Sequence, residues 1–310
     1  MQSPKEFALE WKRIYDSERA LREAMRERGV TISDDAPLEQ YAEAIRSYIP
    51  PTMQIYRKEF YYKSPQERMP NMIVAPSYNP ADLSWTFGVC ANLSVFPEVM
   101  GLDQASNLSH YGRDCILARG HVVIPNLPKC THLVSIFQNC PMLESITIGD
   151  APLCVDANFV AGGCSNLTSI KIGALPRVKD VRGLITGCAL IERINLQFGS
   201  EIRSANGMFQ GCTSLRVVTG IIDVTNADIG NIVNGCSALE EIRLKGIKDN
   251  IAFHASPRLS LDSARYLITE AQSVIGKTIY FPQTLADTHR TDMEELGEMA
   301  SAKGWAITYR

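Results

Sequence analysis

The chain has 310 residues and a net charge of −3 at neutral pH, with a pI near 6.0. That balance lacks the basic excess that nucleic acid or an anionic membrane demands of a partner. The composition, 45% hydrophobic and 21% charged, is that of an ordinary globular protein, and no run of 18 apolar residues offers a transmembrane helix.

The first segment, MQSPKEFALEWKRIYDSERALREAMRERG, is charged throughout and has neither the apolar stretch nor the cleavage site of a secretory signal. Synthesis in the cytoplasm is therefore expected. Residues 4–28 read as a helix, with Phe7, Trp11, Ile14, Tyr15, Leu21 and Met25 at three- and four-residue spacings and Gly29 closing it. An acidic N-cap cluster at 33–36 and Pro37 start a second helix. It carries Leu38, Tyr41, Ala42, Ile45 and Ile49 on one stripe and stops at Pro50 and Pro51. Two short amphipathic helices bury little by themselves. Residues 1–51 are thus expected to anchor or oligomerise the protein through Phe7, Trp11, Ile14, Tyr15, Leu38, Tyr41 and Ile45, or to cap the repeats that follow.

Residues 52–86 are rich in aromatic residues and proline and resist a regular assignment: an irregular first turn, or a contact surface. From Phe87 a repeat takes over. Cysteine returns with a constant period of twenty-four at Cys140, Cys164, Cys188, Cys212 and Cys236. Leu143, Leu167, Ile191, Leu215 and Leu239 follow three positions later, and Ile146, Ile170, Ile194, Val218 and Ile242 six positions later. Glycine precedes four of these cysteines, and Asn139 precedes the other. Cys90 and Cys115 extend the series upstream with slightly longer turns. A fixed period in this range with a Leu/Ile/Cys skeleton is the signature of a leucine-rich solenoid.

Each repeat holds one short strand, LESITI, LTSIKI, IERINL, LRVVTG or LEEIRL, alternating apolar and polar residues with period two. Stacked turns then share one core and a parallel β-ladder. The outward set is Ser145, Thr147, Ser169, Lys171, Arg193, Asn195, Val217, Thr219, Glu241 and Arg243. The returning limb carries Val155, Val178, Val181, Ile202 and Ile229. Nine cysteines without a Cys-x-x-Cys pair, five of them at one apolar repeat position, read as buried free thiols.

The period ends after Leu244. Ser260 caps a helix carrying Leu261, Ala264, Tyr266, Leu267, Ile268 and Ala271. A strand follows over Lys277 to Phe281. A helix over roughly Thr291 to Ala302 buries Met293, Leu296, Met299 and Ala300 and leaves Glu294 and Glu295 solvated. Gly304 stops it, and Trp305 to Tyr309 form a last strand. The predicted organisation is an N-terminal helical hairpin (1–51), a connection (52–86), the solenoid (87–248) and a C-terminal α/β cap (249–310).

The Gly-Cys-x-x-Leu/Ile repeats with an apolar residue upstream resemble the BspA-like class of leucine-rich repeats. The tail is similar to the segment that follows such repeats in phage and prophage proteins of gut bacteria, especially of the Bacteroides group. Leu259, Ser260 and Ser263, then Ala300, Lys303, Gly304 and Trp305, carry that likeness. The N-terminal module resembles helical modules that begin phage tail and fibre proteins. The resemblance implies an α/β fold built on a right-handed solenoid and a non-enzymatic virion structural protein: a fibre, tail or head-decoration component, reaching the virion without a signal peptide. Trimers are common among such proteins. The same repeat class occurs in bacterial surface adhesins, which is the alternative.

No Walker loop, GxGxxG, GxSxG or HExxH motif occurs. The sequence Cys115, His121, Cys130, His132 would ligand zinc only if irregular turns brought all four together; otherwise these are ordinary core and surface residues. No cofactor and no catalytic residue is expected. A solenoid offers a long rigid surface, so the expected partners are other virion proteins, a host surface protein or a glycan, or further copies of the chain. The expected face is Ser145, Thr147, Ser169, Lys171, Arg193, Asn195, Thr219, Glu241 and Arg243.

Overall fold

The computed structural model describes residues 72–73, 82–91, 93–96, 99–100 and 102–310. The two helices expected over 4–28 and 37–49, with their seven anchoring residues, lie outside this set. The described part is mixed α/β, with short parallel strands in small open sheets and three α-helices near the C-terminal end.

The sequence period is the register of the stack. One column of parallel bridges runs Asp82, Asn107, His132, Asp156, Asp180, Ser204, Asp228, with two steps of twenty-five followed by steps of twenty-four. A second column holds the strands. Upstream, β1 (Met72–Ile73) pairs parallel with β2 (Val99–Met100). Next come β3 (Gly120–Ile124), β4 (Leu143–Ile148) and β5 (Ser169–Ile172) in one sheet. Then β6 (Arg193–Asn195) pairs with β7 (Val217–Thr219), and β8 (Ile222–Asp223) with β9 (Leu244–Lys245). The stack already includes Asp82, upstream of Phe87: Leu83 N donates to Asn107 O in the register used by later turns. The strand β3, not foreseen, belongs to the longer first turns.

The apolar columns explain why the turns stack. Leu143, Leu167, Ile191, Leu215 and Leu239 are fully buried, as is the upstream column Ile136, Val160, Leu184, Met208, Ile232. No single turn could enclose them, and each turn supplies one wall of its neighbour's core. Of the returning limb, Val178, Val181, Ile202 and Ile229 are buried. Val155 is only half-buried, because Cys154 takes the core position beside it. Val217, expected to face outward, is buried on the strand face, in register between Arg193 and Glu241.

The residue before each ladder cysteine sits in the left-handed region. Val89, Asp114 and Asn139 hold that place in the first turns, and Gly163, Gly187, Gly211 and Gly235 thereafter. This accounts for the Gly-Cys dipeptide, since glycine alone adopts positive φ at no steric cost. The cysteines then point inward, and all nine thiols are buried and free. From Cys115 onward each ladder thiol donates to a carbonyl of the preceding turn: Cys140 Sγ to Gly112 O at 2.9 Å, Cys188 Sγ to Ala161 O at 3.0 Å, Cys236 Sγ to Phe209 O at 3.0 Å. A small apolar side chain with one weak donor suits that role. A second device was not legible beforehand. At five of the seven bridge positions in the Asp82 column, Asp82, Asn107, Asp156, Asp180 and Asp228, the side chain accepts from the backbone N–H two residues on, fixing the same turn in those layers.

The C-terminal unit closes the stack. Helix α1 (Leu261–Glu270) has Ser260 as its N-cap, accepting from Ser263 N. Ser263 Oγ accepts from Ile242 N at 3.1 Å, and Ser260 N donates to Glu240 O at 2.9 Å. The last turn's outward backbone groups thus meet a helix terminus instead of another turn. After β10 (Ile251–Ala252) and α1 the chain continues as β11 (Lys277–Phe281), α2 (Gln283–Thr288), α3 (Arg290–Ala302) and β12 (Trp305–Tyr309). The three strands form a parallel sheet in the order β10-β11-β12. Helix α2 was not expected from the sequence. Met299, expected inside, is exposed, because Met293, Leu296 and Ala300 define the buried stripe of α3.

The tail motif has a mechanical reading. Lys303 Nζ donates to the carbonyls of Ile268, Thr269 and Ala271 at the end of α1. Gly304 has φ +82, and a Cβ there would lie 1.8 Å from Val274 O. Trp305 Nε1 donates to Gln272 O at 2.7 Å. Lys-Gly-Trp is a clasp on the end of α1.

Candidate functional site

The expected binding face is a set of stacked columns on the sheet. His121, Ser145 and Ser169 share one column, and Val123, Thr147 and Lys171 another. The same positions recur as Arg193 and Val217, and as Asn195 and Thr219. Glu241 bridges Val217 and so continues the first column. Ser145 and Thr147 are half-buried; Ser169, Lys171, Arg193, Asn195, Thr219, Glu241 and Arg243 are exposed. All nine expected residues therefore reach one polar surface. Val123, 69% exposed, adds an apolar point absent from the expected set.

Beside these columns the charges alternate. Arg216 forks onto Glu240 through Nε and Nη2, both at 3.0 Å, with Glu192 one turn earlier at the same repeat position. That hydrogen-bonded guanidinium holds the Glu240 carboxyl below the ordinary range, with Arg258 and Arg193 adding to it. Arg243 lies over the ring of Tyr266 at 5.6 Å.

Near its C-terminal end the face opens into a cleft of about 410 Å³, lined from β7 and the bulge after it (Val218, Thr219, Gly220, Ile221), the last turn (Glu241, Ile242, Arg243) and the start of α1 (Ser260, Asp262, Ser263). The cause is a change of register. Val217 pairs with Glu241, a full period on, but Ile222 pairs with Leu244, a step two residues shorter. Gly220 and Ile221 are the two residues pushed out, and Ile222 N rather than Gly220 N reaches Arg243 O, at 3.0 Å. Gly220 has φ +94, and a Cβ on it would meet Leu196 O at 2.2 Å. The sequence carries a signal for this: Ile148, Ile172 and Leu196 form a buried column, and the next member is Gly220. The constant cysteine spacing hid it.

The four residues weighed as a zinc set are engaged elsewhere. Cys115 Sγ donates to Phe87 O, Cys130 Sγ to His132 O, and His132 Nδ1 lies 2.8 Å from Thr131 Oγ1. His121 Nδ1 sits 2.7 Å from Ser145 Oγ. That pair lies on the open sheet face, and among the described residues no carboxylate bonds to the imidazole to orient it as a base. No group of three or more potential metal ligands occurs among the described residues. Burial raises the thiols away from nucleophilic use: Cys90 and Cys130 to about 11, Cys212 and Cys236 to about 12.

No family model matches the chain, and no curated protein matches it. Among solved structures the chain is similar to a leucine-rich repeat protein from Bacteroides ovatus, at 14% identity and a TM-score of 0.25, over 73% of this chain and 80% of that one.

Proposed function

We propose that this chain is a right-handed leucine-rich-repeat solenoid of the BspA-like kind that works without catalysis, as a binding scaffold in a phage particle. The supporting observation is the continuous register from Asp82 to Asp228, which holds the exposed positions of each strand one above another on a rigid surface. The face from Ser145 to Arg243 is polar and of mixed charge. It suits a protein or glycan partner, approached through hydroxyl, amide and ionic contacts, better than an apolar ligand. The virion assignment rests on the resemblance of the two flanking segments, with residues 1–51 as the anchor and neighbouring virion proteins or the host surface as partners. Two measurements test the reading. Density-gradient fractionation of the source culture, with mass spectrometry for this chain, should find it with nuclease-resistant, DNA-containing particles. Recovery in the envelope or the free medium would overturn the virion role. The triple variant Lys171→Glu, Arg193→Glu, Arg243→Glu should fold normally and lose its partner; unchanged particle association would remove this face from the proposal.

A further inference from the structure

The cap that closes the repeat stack leaves an edge of its own. In the order β10-β11-β12 the last strand has one neighbour among the described residues. Its polarity follows from the hydrogen bonds at its end: Arg310 N donates to Phe281 O at 3.1 Å, and Gln283 N donates to Arg310 O at 2.9 Å. Both backbone groups of a strand residue point the same way, and successive residues alternate. Ala306, Thr308 and Arg310 therefore serve β11, and Trp305, Ile307 and Tyr309 direct their N–H and C=O groups away from it. Natural edges are guarded by lysine, proline, a bulge or a charge. The strand Trp-Ala-Ile-Thr-Tyr has none of these, and its pairing with β11 runs unbroken from Trp305 to Tyr309. Beside its start, Ile275 is 95% exposed, the barest large apolar side chain among the described residues. It lies next to Gly304: a Cβ on that glycine would be 3.5 Å from Ile275 Cα.

We infer that the outer edge of β12 pairs antiparallel with β12 of a second copy of this chain, about a two-fold axis at Ile307. The strand is self-complementary in that register. Ile307 meets its own copy, and Tyr309 falls opposite the Trp305 position of the other copy; Trp305 is itself buried in its own cap, so Ile307 and Tyr309 carry the apolar contact across the axis. On the opposite face Ala306 meets Thr308. The single charge, Arg310, falls opposite Gly304. An in-register parallel pairing would instead set Arg310 against Arg310, and it would not close by symmetry. The antiparallel pair satisfies all the outward groups of Trp305, Ile307 and Tyr309, about six hydrogen bonds in total. The contact is independent of any oligomerisation through residues 1–51 and of the virion reading.

The test uses the full chain. Hydrogen exchange is followed at the Ile307 and Tyr309 amides over a hundredfold range of protein concentration, with Thr308, bonded to β11, as the internal reference. Protection of Ile307 and Tyr309 should rise with concentration while Thr308 stays constant. Ile307→Cys, the other cysteines being buried, should give a covalent dimer under mild oxidation, since two copies at the axis sit about 5.5 Å apart at Cα. Ile307→Pro removes an outward N–H and should abolish the concentration dependence with the fold intact. Thr308→Pro removes an inward one and should destabilise the cap. Ile307 and Tyr309 amides that exchange freely at every concentration, with no crosslink at position 307, would overturn the inference. So would protection that appears only when another protein or peptide is added, which would make the edge a site for a different partner.

Discussion

Replacing Gly220 with alanine tests the bulge that opens the cleft. Two costs add there. The backbone φ of +94 is one that an L side chain adopts only with strain, about 1–2 kcal/mol. The new methyl would also lie 2.2 Å from Leu196 O and 3.3 Å from Leu196 C, both backbone atoms of the preceding turn. Neither can rotate aside. Relief requires the turn carrying Leu196 to move, and Leu196 N is bonded to Thr219 O at 3.1 Å. Overpacking of that kind costs about 1–3 kcal/mol, so Gly220→Ala should lose roughly 3–4 kcal/mol. Gly187→Ala is the control. Its φ is +73, but the nearest atom to a new Cβ is Gly163 Cα at 3.7 Å, an ordinary contact. Only the strain remains, about 1–2 kcal/mol. Urea denaturation of both variants under identical conditions gives the comparison. If Gly220→Ala falls within about 0.5 kcal/mol of Gly187→Ala, the close approach to Leu196 is absent and the account of the cleft fails.

Other predictions concern the thiols and the cap. Burial lifts Cys154, Cys212 and Cys236 to about 12 and Cys90 and Cys130 to about 11, against an ordinary value of 9.0. The folded state thus keeps protons that the unfolded chain releases. This stabilisation is whole below pH 9.0 and is lost as pH rises through 11 to 12, so melting temperatures should be flat from pH 7 to 8 and fall steeply above pH 9.0. The nine buried thiols should resist an aromatic disulfide reagent in native buffer and all react in denaturant. Ser263→Ala strands the buried N–H of Ile242 and should cost about 1–3 kcal/mol by chemical denaturation, whereas Ser237→Ala, at an exposed position, should change little. Lys303→Met keeps the aliphatic stem but removes three bonds to carbonyls at the end of α1, and hydrogen exchange should show that end fraying first.

The sequence by itself determined the stack. A recurrence of fixed length, with inward leucine and isoleucine and a glycine before cysteine, leaves few ways to bury those side chains, and the bridges from His132 to Asp228 follow that count. Ser260 as a cap and Trp305 to Tyr309 as the last strand were legible because each depends on its immediate neighbours. Tertiary structure alone decided what depends on distant partners. Val217 is buried although its parity points outward, and Cys154 rather than Val155 enters the core. The thiol of Cys140 bonds back to Gly112 and that of Cys188 to Ala161, each more than a full turn away. Lys303 reaches past a strand and two helices to the carbonyl of Ile268. The cleft arises where two residues leave the ladder while the cysteine count stays constant, so a reading that follows the cysteines passes over it. A repeat specifies its own average geometry by local pattern. Where the chain departs from the average, the outcome depends on which neighbouring turn or helix supplies the missing hydrogen bond, and the spacing of residues along one chain does not contain that information.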